Sequence, residues 1–151
     1  MKKTYTTLLI IYTSFIFSAL VYLLLGWILS RSGWRPVLNA SAVNPLFIVL
    51  AVILISDVFA ILRVKGALFR RDQELPVGAE ALRRLIVSRF LVLFALSEIP
   101  AVMGLVFFAL TGDFKRFVML CVISFIAFVV VKPSLDVLEE LQRNQTTKTQ
   151  S

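Results

Sequence analysis

Four stretches of this 151-residue chain stay apolar long enough to cross a lipid bilayer, which takes about 20 residues of helix. They run from Leu8 to Leu29, from about Pro45 to Leu62, from about Phe90 to Leu110, and from Phe114 or Phe117 to Val131. Hydrocarbon offers no water to backbone N–H and C=O groups, so each run has to satisfy them internally as a helix. The expected fold is therefore all-α, a bundle of four transmembrane helices arranged as two hairpins. Residues 1–133 form a single transmembrane domain, with helices at about 6–29, 45–64, 86–110 and 114–132, and residues 134–151 form a short tail. Pro45 suits the first turn of its helix, and Pro133 ends the fourth, because proline cannot continue the backbone bonding. The fourth run is short for a bilayer unless Lys115 and Arg116 snorkel to the interface.

Composition agrees. Hydrophobic residues make up 59% of the chain and the mean hydropathy is +0.90, far from soluble globular values. The net charge of +7 comes from lysines and arginines that flank the apolar runs. They form no basic stripe interleaved with aromatics, so the charge speaks for orientation in a membrane and not for nucleic acid. The chain has no histidine and one cysteine. That excludes His-ligated haem, His/Cys zinc sites, and Ser-His or Cys-His catalysis, and no cofactor or metal is expected. An intrachain disulfide is excluded too, and Cys121 among Leu120, Val122 and Ile123 reads as a small apolar helix residue.

The first run competes with a signal peptide, since Met-Lys-Lys precedes it and Ala40-Ser41-Ala42 imitates a cleavage site. A signal peptide's apolar region is usually about 7–15 residues, shorter than Leu8–Leu29, and the Ala-x-Ala lies well past the run's end. The first run is read as an uncleaved helix. With the N-terminus inside, twelve of the 16 lysines and arginines fall on the cytoplasmic side, and Arg31, Arg35, Lys115 and Arg116 fall outside. The positive-inside rule then places both termini in the cytoplasm of a bacterial inner membrane. The basic loop from about Arg63 to Arg89 mixes arginines with apolar residues in Gly66–Arg71 and Ala79–Arg84. A pair of short interfacial helices over anionic lipid headgroups is expected there. Beyond Ser134, Leu135, Leu138 and Leu141 share a face of a short polar helix, and Gln142–Ser151 has a disordered composition.

Two acids lie inside the apolar runs, in matching patterns: Ser56-Asp57-Val58-Phe59-Ala60 and Ser97-Glu98-Ile99-Pro100-Ala101. A carboxylate at membrane depth costs about 2.5–3.5 kcal/mol to insert. At 1.5 Å per residue, Asp57 lies about 9 Å from Arg63 and Glu98 about 13–14 Å from Arg89, so the two acids can meet in the cytoplasmic half of the bilayer. In each pattern the alanine sits three residues after the acid and four after the serine, which puts all three on one helix face. Small residues there permit close helix approach, continued by Gly104 in the third helix and matched by Ser14, Ser18 and Gly26 in the first. Pro100 leaves the Leu96 carbonyl without its helical partner and kinks the helix. Glu98 and Asp57, with Ser97 and Ser56, are therefore the candidate proton or cation site, Pro100 the helix kink, and Ala60, Ala101 and Gly104 the packing residues.

The segment Glu98-Ile99-Pro100-Ala101-Val102-Met103-Gly104-Leu105 resembles the ion-binding helix of the proteolipid c subunits of rotary ATPases. That resemblance implies Glu98 as the carboxylate that takes up a proton or Na⁺. It covers one helix: the c subunit's partner helix is densely glycine-rich, whereas this chain has six glycines in all. The c subunit's acid also sits on the second helix of a hairpin, whereas Glu98 falls on the first helix of the second hairpin. Over its whole length the chain resembles a broad group of uncharacterised bacterial four-helix membrane proteins. The resemblance rests on Glu98, Gly104 and Leu105 in helix three, Gly112 in an external turn, and Lys132-Pro133 after helix four. It implies a fold and a membrane but no activity. The expected function is a non-enzymatic membrane protein, a homo-oligomer or an accessory subunit of a larger complex, and the alternative is proton or cation translocation by Glu98.

Overall fold

A computed structural model describes residues 2–68 and 79–134. Four helices occur among them: α1 (Lys2–Arg31), α2 (Ala40–Leu68), α3 (Ala79–Thr111) and α4 (Phe114–Val131). Each is long and apolar enough to cross a membrane. Three of them outrun their apolar segments. No glycine or proline stands between Ala79 and Ile99, so the Ala79–Arg84 stretch expected as a separate interfacial helix forms the first turns of α3 instead. At the start of α2 the Asn39 carbonyl accepts from the Ala42 N–H at 3.0 Å, and the helix begins at Ala40. Pro45 consequently lies in the second turn and not the first, on the exposed side. The Gly66–Arg71 segment supplies the end of α2 as far as Leu68. Its remainder lies outside the described residues, as do Leu135, Leu138, Leu141 and the rest of the tail.

Side-chain contacts fix the direction of each helix. The Ser18 hydroxyl of α1 meets Glu98 of α3, and Trp34, just past α1, reaches Ala109 near the end of α3. Those two helices run in parallel. Arg116 of α4 bonds Asn44 of α2 at one end of the bundle, and Lys65 of α2 bonds the Val130 carbonyl of α4 at the other. α2 and α4 thus run together, opposite to α1 and α3. The start of α1, the end of α2, the start of α3 and the end of α4 share one side, and the 32–39 linker and the Gly112-Asp113 turn share the other.

α3 is the hub. It packs against all three other helices, most extensively against α4, while α1 also touches α4. α3 and α4 pack against each other on either side of the Gly112-Asp113 turn, whereas the consecutive pair α1 and α2 scarcely touch, because α2 lies against α3. The linker between them folds across the end of α3. Val37 and Leu38 N–H groups donate to the Leu110 carbonyl at 3.0 and 2.9 Å, and the Trp34 indole donates to the Ala109 carbonyl at 3.0 Å. A helix leaves its last carbonyls unsatisfied, and here a distant segment supplies the donors. The turn into α4 is closed by Gly112 at φ +71°, a conformation glycine adopts without strain. Asp113 then caps α4, its carboxylate accepting from the Arg116 N–H at 3.1 Å.

The interior is layered along the bundle axis. Nearest the N-terminal end, Tyr12, Phe90, Phe94 and Phe128 cluster, with Tyr12 edge to face against Phe128 and the other ring pairs tilted. At the far end Phe108, Phe114 and Phe117 form a second aromatic layer. Between them α3 presents Ser97, Ala101 and Gly104, all buried, toward Cys121 and Ser124 of α4. A methyl added at Gly104 would lie 2.9 Å from Leu120 Cβ and 3.2 Å from the Phe117 ring. One added at Gly26 of α1 would overlap the same Phe117 ring. The outward faces carry Phe17, Ile48, Phe59, Val106 and Ile126, each half or more exposed, as a helix in contact with lipid requires.

Gly104→Ala should therefore lower the thermal unfolding midpoint in detergent, at a cost of about 1–3 kcal/mol for overpacking a filled seam. Gly66→Ala is the control, since a methyl there meets nothing within 4 Å. Circular dichroism melts of both variants should show a loss for the first and none for the second.

Candidate functional site

The polar residues singled out by the sequence sit in the layer between the two aromatic clusters, but they do not all meet one another. Glu98 turns toward α1, where the Ser18 hydroxyl donates to its Oε1 at 2.5 Å. Ser97, one residue earlier, is fully buried and faces α4. Its hydroxyl donates to the Leu93 carbonyl at 2.8 Å, and its carbonyl accepts from the Ser124 hydroxyl at 2.5 Å. Ala101 is fully buried on the same face. Pro100, buried as well, lies between these contacts and the Gly104 close approach. Ser124 thus binds α4 to α3 within a turn of the proline, where the helix has lost one of its own bonds.

The first pattern behaves differently. Asp57 is 7% exposed, and neither of its carboxyl oxygens has a hydrogen-bond partner among the described residues. Ser56 is exposed, and its hydroxyl donates back to the Val52 carbonyl of its own helix at 3.0 Å. Ala60 is half-buried. The polar bonds therefore do not join the two serine–acid faces: Glu98 is tied to α1, Ser97 to α4, and Asp57 to nothing. A helix face spans more than one neighbour when that helix is the hub, and the side chains of α3 divide between α1 and α4.

Two of these partners carry only a faint mark in the sequence. Ser124 is the single hydroxyl residue in the apolar run of α4, and that isolation was the available signal. Arg116 offered another. Its guanidinium stacks over the Phe47 ring at 4.8 Å and donates to the Asn44 side chain at 2.8 Å, so it anchors the first turns of α2. At the other end the Lys65 ammonium donates to the Val130 carbonyl at 2.7 Å, beside the last turn of α4.

Chemically, the layer contains one carboxyl fixed between helices and one enclosed without a bond. The first contributes to helix association, since hydrogen bonds between membrane helices average about 0.6 kcal/mol and reach about 1.7. The second is a burden on stability, because a buried polar group without a partner retains its desolvation cost.

Two outcomes follow for stability in detergent. A double-mutant cycle of Ser18→Ala with Glu98→Ala should give a coupling of about 0.6–1.7 kcal/mol, whereas Glu98→Gln, which keeps the acceptor, should leave the melt close to the parent's. Asp57→Leu should raise the melting midpoint, because it removes an unsatisfied group and adds apolar contact. A fall of more than a few degrees would mean that Asp57 has a partner in the folded protein.

Comparison of the chain with protein families, with curated proteins and with solved structures finds no match.

Proposed function

We propose that the chain is a non-enzymatic integral membrane protein of a bacterial inner membrane, with both termini in the cytoplasm. It works as an oligomer or as an accessory subunit of a larger membrane complex, and Asp57 and Glu98 form its internal polar centre. The observation that carries this reading is the bond from Ser18 to Glu98. The acid with most chemistry to offer is committed to holding α1 against α3. Other polar contacts between helices are of the same kind: Ser124 to the Ser97 carbonyl, Tyr12 to the Phe128 carbonyl, Lys65 to the Val130 carbonyl. A small bundle whose polar groups bind its own helices, and whose outer faces are apolar, suits a packing partner in the membrane.

Proton or cation transfer through Glu98 is the second reading. It draws on Glu98 being only partly buried and on Pro100, which frees the Leu96 carbonyl half a turn away.

Purification of the tagged chain from membranes in a mild detergent separates the two. A stable assembly, either several copies or the chain with defined further subunits, is the expected result, and Glu98→Gln should assemble as well as the parent. A monomer whose Glu98 reacts with a hydrophobic carbodiimide, and is protected from it by a cation, would overturn the subunit reading in favour of translocation. Orientation is tested by reporter fusions after Gly33 and Gln73. The first should be active only as an external reporter and the second only as a cytoplasmic one, following the lysine and arginine bias.

A further inference from the structure

A groove of about 640 Å³ runs along the first half of α3, closed on one side by Thr7 of α1. Its walls change character along their length. Arg83 and Arg84 stand at the mouth, and Val87, Leu91, Val92 and Ala95 line the groove below them. From Arg84 to Ala95 the helix rises about 16 Å. The apolar run of α3 begins at about Phe90, so the groove starts in the headgroup zone and continues into one leaflet, whose hydrocarbon is about 15 Å deep.

We propose that this groove is a binding site for one anionic phospholipid of the bilayer, with its phosphate at Arg83 and Arg84 and an acyl chain along the apolar wall. The inference rests on the membrane reading above but on no assignment of which face is cytoplasmic. Charge selects the lipid class. Two guanidinium groups meet one carboxylate, Glu80, which pairs with Arg84 at 3.4 Å on the exposed side of the helix. Arg83 has no ion-pair partner among the described residues, and Arg84 exchanges a weak surface pair for a phosphate when the lipid arrives. Ser88, one turn beyond Arg84 on the same face, adds a hydroxyl at headgroup depth. A free anion would use the arginines and leave the apolar wall bare, and a neutral lipid would use the wall and leave the arginines unmatched. An anionic phospholipid meets both.

Native mass spectrometry of the purified full chain, in detergent with added palmitoyl-oleoyl phosphatidylglycerol or phosphatidylcholine, tests this. One phosphatidylglycerol should survive activation, retained about tenfold more than phosphatidylcholine, and the joint Arg83→Ala and Arg84→Ala variant should lose about that tenfold preference. Glu80→Gln should raise retention. Ala95→Phe and, independently, Thr7→Phe fill the groove with its charges intact, and each folded variant should retain less of the lipid. Equal retention of the two lipids, an unchanged double-arginine variant, or groove-filled variants that bind like the parent would each overturn the proposal, as would a retained second copy of the chain in place of lipid. Carbonate extraction of the membranes keeps the two readings apart. Release of the chain would remove the membrane reading itself, whereas retention together with equal lipid binding removes only the lipid site.

Discussion

The close approach of α4 to α3 sets the positions of everything else. In hydrocarbon, lipid tails are as apolar as leucine, so helices gain nothing from merely burying apolar surface and associate through tight packing and polar bonds. α3 meets that requirement with Ser97, Ala101 and Gly104 on one buried face. The Gly104 gap brings Leu120 and Phe117 against the α3 backbone. Phe117 then extends the effect to a third helix, because the same ring fills the space left by Gly26 of α1. One aromatic side chain is thus seated against two missing methyl groups on two helices. α1 is placed by that ring at one level and by the Ser18–Glu98 bond at another. α2 has no such seam. It lies along α3 and is fastened to α4 near its two ends, by Arg116 with Asn44 and Phe47 and by Lys65 with the Val130 carbonyl.

The same economy governs the end of the bundle at the Gly112-Asp113 turn. α3 terminates in a two-residue turn, which leaves little room for a capping segment of its own. The carbonyls of Ala109 and Leu110 are instead met by Trp34, Val37 and Leu38 from the linker between α1 and α2. That requirement explains why the linker lies across α3 while the helices it joins stay apart. Pro36 packs beside Gly112, at a distance where an added methyl would be just in contact. The linker, the turn and the hub helix therefore form one unit, and α2 is delivered to the far side of α3 by the path the linker takes.

Much of this was legible from the residues, for reasons that also mark where legibility stops. Long apolar runs dictate helices in a bilayer because no other open structure satisfies their backbone, so the number and type of elements followed from hydropathy alone. Small residues at helical spacing, such as Ala101 and Gly104, mark a face for close approach, because they have few other uses in such a run. The helix that meets such a face is not legible. A face can be read from one helix, but the helix that covers it depends on the path of the linkers, and the linker bonds to the Ala109 and Leu110 carbonyls leave no mark in the sequence. The two serine–acid patterns look like mates because they match. Yet matching in sequence says nothing about which neighbour each face meets, and on a hub helix adjacent residues such as Ser97 and Glu98 serve different neighbours. The junction of Ala79–Arg84 with the span was missed for a simpler reason: arginines at the interface looked like a boundary, although nothing in the backbone from Ala79 to Ile99 breaks the helix.

The contrast between the two acids carries the functional question furthest. Inserting either costs about 2.5–3.5 kcal/mol, several times what one hydrogen bond between membrane helices contributes. Even Glu98, with its bond to Ser18, is a net loss to stability on those figures, and the bond accounts for its orientation more than for its presence. Asp57 has no bond among the described residues to set against the cost. A leucine at either position would give a more stable bundle. The two acids differ in their access. For Glu98, half-buried beside α1, an outside group has a route to the carboxyl. Asp57 is buried, 7% exposed, beneath the neighbouring helices. The acid without a bond thus lies on α2, the helix that has no small-residue seam of the kind that joins α3 to α4.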